Sequence, residues 1–294
     1  MIIILGKNGY IAQAFQKELQ EQNLDFRALS REDLDYTNKV SLERYLSQNF
    51  HSKIVAYHNV TIINCAGFVG RPNVDACEKR KADCIEFNVA LPSMLADLCA
   101  QHGYRLIHIS SGCIFTGYKK HFTEKDAPNF DFQNGSFYSG TKALAEKLVL
   151  KNNPDSYIFR LRIPFDEYQS PRNYLTKLLN YDRLLRAKNS FSHRQDFVKN
   201  CLELLKINAP RGVYNLTNQG FISTDEVIDL IQHYIPNQKK FSFFSNLDEF
   251  MMKISSPRSN CILSTKKAES LINIRSVQEA FEHAIQDYFR LNNF

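Results

Sequence analysis

Two residues one helical turn apart, Tyr138 and Lys142, have the types and the spacing that proton transfer requires. Side chains four residues apart lie on one face of a helix, so the ammonium would lie beside the phenol. A nearby ammonium favours the tyrosinate form, and we expect Lys142 to lower the pKa of Tyr138 towards neutrality. Ser111, at the end of a predicted strand, adds a second hydroxyl for the same carbonyl oxygen. The pattern predicts a catalytic proton donor; the alternative is a chance Tyr-Lys pair on a solvated helix surface.

A glycine turn at the start of the chain predicts a dinucleotide-binding site. Residues 6–12, GKNGYIA, follow the first apolar run and open the first helical pattern. Gly6 permits a tight turn, Gly9 lets the backbone approach a pyrophosphate, and Ala12 allows close packing of the helix on the sheet. The phosphates would lie at the helix N-terminus, where N–H groups favour anions, although a plain strand–helix turn is the alternative. The predicted cofactor contacts of the turn are Gly6, Asn8, Gly9, Tyr10 and Ile11.

The residues after the second and third predicted strands bear on the choice of cofactor. Ser30 and Arg31 follow the second strand, where an enzyme that prefers NAD often has an acidic residue. A hydroxyl and a guanidinium suit the 2′-phosphate of NADPH, which we expect to be the cofactor. Asp33 and Asp35 lie close by and keep NADH open as the alternative. The contacts predicted on the nicotinamide side are Cys65, Ala66 and Gly67 after the third strand, with Tyr138 and Lys142 from the catalytic helix.

Apolar runs of strand length alternate with longer helical patterns in the first half of the chain. Strands are predicted at 2–5, 26–29, 61–66, 105–110 and 157–162, and helices at 9–19, 40–50, 74–102 and 137–151, with a break near Pro92. This alternation predicts βαβ units and a parallel sheet covered on both faces. In the second half the pattern loosens, with helices predicted at 173–180, 191–207, 224–234 and 276–291 and a strand at 212–217.

The expected fold is an α/β protein with a Rossmann-type doubly wound parallel sheet and a small C-terminal α/β lobe. Residues 1–165 would form an NADP-binding domain. Residues 166–294 would form a substrate-binding lobe that is interleaved with the first domain.

The composition is that of a globular chain. Its 294 residues include 37 Lys and Arg against 31 Asp and Glu, a net charge of +6, and 44% are hydrophobic. The charge is spread along the chain, so we expect no nucleic acid partner. No apolar run approaches the roughly 18 residues of a membrane span, and the N-terminus lacks the features of a signal peptide. Seven cysteines without zinc-type spacing indicate a reduced, cytoplasmic protein that needs no metal.

Six segments of the chain carry a family resemblance. They are Gly70-Arg71-Pro72-Asn73-Val74-Asp75, Gly112-Cys113-Ile114-Phe115, Ser136-Phe137-Tyr138-Ser139-x-Thr141-Lys142-Ala143, Pro171-Arg172-Asn173-x-x-Thr176-Lys177, Gly212-Val213-Tyr214-Asn215-Leu216-Thr217-Asn218 and Pro257-Arg258-Ser259-Asn260. The chain resembles the extended short-chain dehydrogenase/reductases and, among them, the nucleotide-rhamnose synthase/epimerase-reductases over nearly its whole length. It is more distantly similar to dTDP-4-dehydrorhamnose reductases and GDP-fucose synthases. It departs from the plant members at Ser111, where they carry threonine, at Gly140, where they carry lysine, and in the loop 117–134.

The resemblance implies a bifunctional enzyme that inverts C3 and C5 of UDP-4-keto-6-deoxyglucose and then reduces C4 with NADPH to give UDP-β-L-rhamnose. The C4 ketone acidifies the protons on C3 and C5, and inversion removes a proton from one face and returns one to the other. By the resemblance, Cys113 and Lys177 form this acid/base pair. Arg172 is a candidate cationic neighbour that would lower the pKa of the lysine. Whether the nucleotide is UDP or dTDP stays open.

The remaining predicted contacts are with the nucleotide sugar. Arg71 and Asn73 follow the third strand, at the edge where ligands bind in open α/β sheets. Asn88 lies on the long helix, at a position that in short-chain reductases often supports the active site. By the resemblance, Arg258 contacts the diphosphate, and its fork of N–H donors suits phosphate oxygens. The predicted substrate-binding residues are Arg71, Asn73, Asn88, Arg172, Asn173 and Arg258.

Two alternatives stay open, a 4-keto reductase without epimerase activity and a non-catalytic NADP-binding regulatory subunit. The intact Ser111, Tyr138 and Lys142 argue against the second alternative. A separate 4,6-dehydratase would supply the keto sugar, and the oligomeric state is open, with a homodimer as one option. His108 and His193 are expected to have structural roles, the latter as a helix cap.

Overall fold

The computed structural model describes residues 1–50, 60–71, 73–235 and 239–291; Pro72, part of a segment quoted above, lies outside the described residues. The strands are β1 (Ile2–Leu5), β2 (Phe26–Leu29), β3 (Thr61–Asn64), β4 (Arg105–Ser111), β5 (Gly117–Phe122), β6 (Tyr157–Leu161), β7 (Pro164–Phe165), β8 (Arg183–Leu184), β9 (Lys188–Asn189), β10 (Ser192–His193), β11 (Gly212–Asn215), β12 (Ile222–Ser223), β13 (Ser242–Phe243) and β14 (Cys261–Leu263). The helices are α1 (Tyr10–Glu21), α2 (Lys39–Phe50), α3 (Ala76–Lys79), α4 (Lys81–Ile85), α5 (Leu91–His102), α6 (Phe137–Asn152), α7 (Tyr174–Asn180), α8 (Arg194–Lys206), α9 (Thr224–Tyr234), α10 (Leu247–Met251), α11 (Lys266–Glu269) and α12 (Val277–Leu291).

The largest sheet has the strand order β11-β6-β4-β3-β1-β2. Strand β1 pairs in parallel with β2 and β3, and β3 pairs in parallel with β4. Ile3 and Ile4, which point to opposite faces of the sheet, are both fully buried, so both faces are covered. After β2 the chain returns to the other side of β1 to form β3. The reversal of strand order between β1 and β3 creates the switch point at which open α/β sheets bind ligands.

The predicted Rossmann-type α/β fold is confirmed. The chain forms two compact units and passes between them several times. The first unit consists of Met1–Ile114, Phe130–Phe159 and Pro210–Val213, and the second of Phe115–Asn129, Arg160–Ala209 and Tyr214–Phe294. The functional division into a cofactor domain at 1–165 and a substrate lobe at 166–294 stays a prediction.

Each unit has its own hydrophobic core. In the first unit, side chains of β1, β3 and β4 pack with those of α2 and α5. In the second unit, the rings of Phe165 and Phe281 are stacked with their centroids 3.9 Å apart, and Phe191 meets Phe281 edge-on at 5.1 Å. Aromatic pairs in these geometries add to the energy of burial, so this cluster helps to hold the short strands of the second unit together.

Two of the predicted helical regions differ from the structure, and the short helices α10 and α11 were not predicted. The region predicted at 74–102 breaks at Arg80, between α3 and α4, and not near Pro92. Pro92 lies in the first turn of α5, where a backbone N–H would have no partner within the helix, so its absence costs no helical hydrogen bond. It follows a π-helical turn at Glu86–Ala90. The helix predicted at 191–207 begins only at Arg194, where His193 caps it as expected. None of the helices in the described ranges combines the length and the apolar character needed to cross a membrane.

The turn between β1 and α1 depends on Gly6. Its φ of +86° lies in the left-handed region. Its N–H and that of Lys7 both donate to the carbonyl oxygen of Leu29, at 3.0 and 3.1 Å, and its own carbonyl accepts from Gly9 at 2.8 Å. A Cβ at this position would lie 2.8 Å from the backbone nitrogen of Ala66. Gly6 therefore lets this turn pass close to the chain that leaves β3.

We expect Gly6→Ala to lower the free energy of unfolding more than Gly117→Ala does. Gly117 also has a positive φ, of +102°, but a Cβ there would meet nothing within 4 Å. That substitution adds only backbone strain, of about 1–2 kcal/mol. Gly6→Ala adds a clash with the backbone of Ala66, and we expect a loss of roughly 3 kcal/mol or more. Urea unfolding measures both losses; equal values would show that the clash is relieved without cost.

Candidate active site

Helix α6 carries Tyr138 in its first turn and Lys142 one turn further. The helix begins at Phe137 because Ser136 accepts a hydrogen bond from a backbone N–H of the first turn, at 3.1 Å. The carboxylate of Glu78 accepts the N–H of Phe137 at 2.8 Å. Both bonds satisfy N–H groups that the helix itself leaves unpaired, and they fix the position at which Tyr138 enters the helix.

Lys142 joins α6 to β4. Its Nζ donates to the carbonyl oxygen of Ile109 at 2.9 Å, and the residue is only 5% exposed. Burial lowers the pKa of Lys142 to about 8, against the raising effect of Glu146, Cys113 and Cys65. Burial disfavours the charged form of an amine, so this ammonium is held at a cost that the carboxylate of Glu146 only partly offsets.

The hydroxyl of Ser111 lies close enough to the phenol of Tyr138 to influence its pKa. Ser111 Oγ also accepts the backbone N–H of Cys113 at 3.2 Å. Burial is the largest influence on the phenol and raises the pKa of Tyr138, Cys113 adds to this rise, and the Ser111 hydroxyl opposes it. The expectation that Lys142 lowers the pKa of Tyr138 is therefore wrong, because burial dominates. The phenol is protonated at neutral pH, as a proton donor must be.

Two buried polar pairs next to these residues were not predicted. Glu146 accepts from Ser110 Oγ at 2.5 Å, and its place one turn after Lys142 was the available sequence signal. Asn64 contacts Nδ1 of His108 at 3.2 Å. Burial lowers the pKa of His108 well below its ordinary value, so the ring is neutral. Its Nε2 is buried and has no hydrogen-bond partner among the described residues, so the structural role expected for His108 uses one of its two nitrogens.

Asn88 forms hydrogen bonds with both the loop after β3 and helix α6. Its side chain accepts from the N–H of Phe68 and donates to the carbonyl of Phe68, both at 2.8 Å. It also donates to Thr141 Oγ1 at 3.2 Å, and that hydroxyl donates to the carbonyl of Tyr138 at 2.7 Å. Asn88 lies in the π-helical turn and is 1% exposed. These bonds give it a positioning role, while its predicted contact with the substrate stays a prediction.

The turn that was predicted to bind the cofactor fits a pyrophosphate. Gly9 is the N-cap of the 12-residue helix α1, and because glycine has no side chain the helix has no side-chain cap. A Cβ on Gly9 would lie 3.0 Å from the carbonyl oxygen of Gly6, so the turn keeps the space that a side chain would fill. An uncapped helix N-terminus presents N–H groups and a positive dipole to an anion. Asn8, Tyr10 and Ile11 lie in the same turn and first helical residues.

The residues predicted to bind the 2′-phosphate also contact protein groups. Ser30 donates from its N–H and its hydroxyl to the carboxylate of Asp33, both at 2.8 Å. The guanidinium of Arg31 lies 4.7 Å from the centroid of the Phe87 ring. Lys7, in the glycine turn, also reaches Asp33, at 3.4 Å. These bonds show that Ser30 caps this turn. A contact of Ser30 or Arg31 with a 2′-phosphate stays a prediction.

The buried side chains of Asn64 and Asn88 contact the small residues that follow β3. The N–H of Ala66 donates to Asn64 Oδ1 at 3.1 Å. A Cβ on Gly67 would lie 3.2 Å from Asn88 Oδ1, a tight contact. Burial raises the pKa of the Cys65 thiol, so this cysteine stays protonated. Cys65, Ala66 and Gly67 directly follow the carboxyl end of β3, next to the strand reversal.

The predicted residues of the substrate site lie in both units. Arg71 is exposed, and Asn73 accepts the N–H of Asp75 at 2.8 Å in the first unit. In the second unit, Asn173 is fully buried; it caps α7 and donates to the carbonyl of Asp166 at 2.7 Å. Arg258 donates to the carbonyl of Ser256 at 2.6 Å, and the backbone N–H of Arg172 donates to Ser170 Oγ at 3.2 Å. These residues are Arg71, Asn73, Asn173, Arg172 and Arg258, and their contacts with a substrate stay predictions.

The predicted epimerisation pair is divided between the units. Cys113 belongs to the first unit and Lys177, on α7, to the second, so their pairing stays a prediction. None of the seven cysteines, all of which lie in the described ranges, forms a disulfide. The described residues contain no group of three or more His, Cys, Asp or Glu side chains arranged to hold a metal ion.

Comparisons with known proteins add a family relation. The family model described as the RmlD substrate binding domain matches residues 1–290. A bifunctional dTDP-4-dehydrorhamnose 3,5-epimerase/dTDP-4-dehydrorhamnose reductase of Arabidopsis thaliana is 33% identical over 287 residues, covering 95% of this chain and 90% of that protein. A trifunctional UDP-glucose 4,6-dehydratase/UDP-4-keto-6-deoxy-D-glucose 3,5-epimerase/UDP-4-keto-L-rhamnose-reductase of the same plant is 37% identical over 214 residues, 70% of this chain. The chain spans only 31% of that longer relative.

The fold is shared with solved structures. The UDP-rhamnose synthase of Acanthamoeba polyphaga mimivirus superposes with a TM-score of 0.86 at 24% identity, covering 97% of this chain and 98% of that one. A dTDP-4-dehydrorhamnose reductase of Clostridium acetobutylicum gives a TM-score of 0.81 at 22% identity, covering 100% and 99%. At these identities the likeness establishes the Rossmann-type architecture.

We expect Lys142 to make stability rise with pH between about 8 and 10.5. Because burial lowers its pKa from 10.5 to about 8, the unfolded chain binds more protons in this window than the folded chain does. The free energy of unfolding therefore rises across this window, by up to about 3 kcal/mol. Urea unfolding should show this rise in the difference between the wild type and Lys142→Met. A difference that stays flat would contradict the burial of a charged lysine.

Lys151, on the exposed side of the same helix, provides the matched control. Lys151→Met removes the same charge from α6 without emptying a buried position. We expect the difference between the wild type and this control to stay flat across the same pH range.

Proposed function

Because the chain belongs to the RmlD substrate-binding-domain family, we propose that it reduces the 4-keto group of a nucleotide-linked 4-keto-6-deoxyhexose with NADPH, in the formation of a nucleotide-linked rhamnose. The observation that carries the proposal is the Ser111 hydroxyl beside the Tyr138 phenol, with the buried Lys142 on the same helix. Reduction of a ketone needs a hydride at the carbon and a proton at the oxygen. These residues supply the second requirement.

The two hydroxyl groups would bind the C4 carbonyl oxygen of the sugar. The Ser111 hydroxyl lies beside the Tyr138 phenol, so one oxygen atom between them can accept a bond from both. As C4 is reduced, negative charge develops on this oxygen and Tyr138 transfers its proton to it. The phenolate that remains on Tyr138 is favoured by the neighbouring Ser111 hydroxyl. Lys142 contributes a positive charge to the same region, which favours both anions.

NADPH, when bound, supplies the hydride that C4 accepts. Gly6, Gly9 and the first residues of α1 would hold its pyrophosphate, since the helix N-terminus has no side-chain cap. Arg31 would contact the 2′-phosphate, and Ser30 would do so if its hydroxyl exchanges Asp33 for the phosphate. NADH remains the alternative, because Asp33 offers a carboxylate to a ribose that lacks the 2′-phosphate.

We further propose that the chain inverts C3 and C5 before it reduces C4, so that it converts UDP-4-keto-6-deoxyglucose to UDP-β-L-rhamnose. Cys113 and Lys177 would remove a proton on one face of the ring and return a proton on the other. The backbone of Cys113 is bound to Ser111 Oγ, so its thiol starts from a position adjacent to the proposed reduction centre. The bifunctional relative, with 33% identity over 95% of the chain, supports this proposal.

The substrate must come from a 4,6-dehydration of a nucleotide-linked glucose. The trifunctional relative, of which the chain spans 31%, includes a UDP-glucose 4,6-dehydratase in its name. We propose that a separate dehydratase supplies the substrate here. The substrate contacts would be made by the arginines and asparagines predicted from the sequence, which are Arg71, Asn73, Asn88, Arg172, Asn173 and Arg258. A homodimer is the proposed assembly.

We expect Tyr138→Phe to lower kcat for NADPH-dependent reduction about 10²–10⁴-fold, because the variant lacks the proton donor. The KM for NADPH should change less than kcat, since the predicted contact of Tyr138 is on the nicotinamide side and the phosphates are expected at the glycine turn. Tyr45→Phe, which removes a phenol that Arg27 contacts on the distant helix α2, is the matched control. The measurement is NADPH absorbance with the 4-keto sugar nucleotide. A Tyr138→Phe variant as active as this control would remove the tyrosine from the mechanism.

We expect Cys113→Ser to abolish deuterium exchange at C3 or C5 while a pre-epimerised sugar is still reduced. The assay is NMR of the product formed in D2O with NADPH and either the UDP or the dTDP keto sugar. Wild-type protein should give rhamnose deuterated at both carbons, and Cys201→Ala, a buried cysteine of α8, should behave like it. Consumption of NADPH by the wild type without deuterium at either carbon would leave a simple reductase. The relative rates with the two sugars identify the nucleotide.

A further inference from the structure

A cavity of about 470 Å³ opens in the first unit at the amino end of β4. Its lining includes Tyr104 and Arg105 at the start of the strand, Asn153 and Asp155 after α6, and Arg211 just before β11. Arg105 is the first residue of β4 and Ser111 is the last. Six residues of extended chain span about 20 Å, so the cavity is separate from the hydroxyl pair.

Two guanidinium groups share this cavity. Arg211 is close enough to Arg105 to lower the pKa of Arg105, in addition to the lowering by burial. Arg211 also lies over the ring of Tyr157, at 4.6 Å from the centroid, which fixes it beside the strand. Neighbouring like charges destabilise each other, so this arrangement favours a ligand that carries negative charge.

The Nε of Arg105 is buried and has no hydrogen-bond partner among the described residues. Within the same ranges, neither Arg105 nor Arg211 forms an ion pair with a carboxylate. A buried donor without an acceptor is destabilising, and an anion with several oxygen atoms would supply the missing acceptor. Planar guanidinium groups bind phosphate oxygens through two parallel N–H bonds, which suits a phosphate between the two arginines.

The remaining polar groups restrict the ligand further. Asp155 offers one carboxylate, and its backbone N–H donates to Asn153 Oδ1 at 3.2 Å. The C-terminal ends of α5 and α6 also lie at the cavity, since their C-caps Gly103 and Asn153 line it. These acceptors oppose an isolated anion but suit a molecule that carries hydroxyl donors beside its phosphate. A phosphorylated sugar has both.

We propose that the Arg105 cavity is a second ligand site, which binds a phosphate-bearing small molecule such as a sugar phosphate. The phosphate lies between the guanidinium groups of Arg105 and Arg211. Hydroxyl groups of the ligand donate to Asp155 and Asn153. The site does not depend on the proposed catalytic function, because it uses none of the residues assigned to catalysis or to the cofactor.

The direct test follows the Nε–H signal of Arg105 in a ¹⁵N NMR spectrum of the full chain. The signal is assigned by its loss in Arg105→Gln. Titration with inorganic phosphate and, separately, with glucose 1-phosphate should shift it with a Kd on the order of 1 mM or tighter. We expect glucose 1-phosphate to bind more tightly than phosphate. A signal that does not move with either compound would overturn the proposal.

Arg211→Gln provides the second arm, because this residue is exposed and its replacement leaves the core intact. We expect the affinity of the Arg105 signal for glucose 1-phosphate to fall about tenfold, the equivalent of 1.4 kcal/mol. Arg290→Gln, whose side chain is 74% exposed on α12, removes the same charge elsewhere and should leave the affinity unchanged. An affinity that falls equally in both variants would show a general effect of charge and would refute the site. An affinity that Arg211→Gln leaves unchanged would refute it as well.

Discussion

The bond from Lys142 to the carbonyl of Ile109 is the constraint on which the proposed catalytic geometry depends. It joins the second turn of α6 to β4 just before Ser111, so the serine and the tyrosine of the first helical turn are held in one register. The ammonium is buried to 5% exposure, and burial opposes its charge. Two effects accompany the unfavourable burial of this ammonium: its hydrogen bond fixes the helix, and its positive charge lies near the hydroxyl pair.

Several further bonds make this register stiff. Glu78 and Ser136 fix the start of α6, and Asn88 with Thr141 connects the carbonyl of Tyr138 to the loop after β3. The π-helical turn has a clear consequence here, since it places Asn88 where its amide reaches both the loop and the helix. Such turns are frequent at functional sites because they rotate one side chain out of the regular helical pattern. The loop that carries Ala66 and Gly67 is thereby coupled to the position of the tyrosine.

The local patterns of the sequence predict much of this arrangement. Strand–helix alternation is a short-range signal, and it located β1 to β4 and α6 closely; the spacing of Tyr138 and Lys142 placed them on one helix face. The division of the region 74–102 at Arg80 was not predicted, because no glycine or proline marks it. The two-residue strands of the second unit have no periodicity to detect. The predicted direction of the pKa shift of Tyr138 was wrong for a related reason. Burial depends on how the chain packs, and the spacing of residues in the sequence does not reveal it.

The opposite shifts of the two groups bear on the direction of the reaction. Burial favours the neutral form of both side chains. It raises the pKa of Tyr138, which keeps its proton, and lowers the pKa of Lys142, which loses its proton more easily. A site at rest with a protonated tyrosine is prepared to give a proton to a carbonyl oxygen, which reduction requires. Oxidation of an alcohol would need the phenolate as a base, and that form is the one that this environment disfavours. The same burial that makes the ammonium costly therefore sets the site to act as an acid.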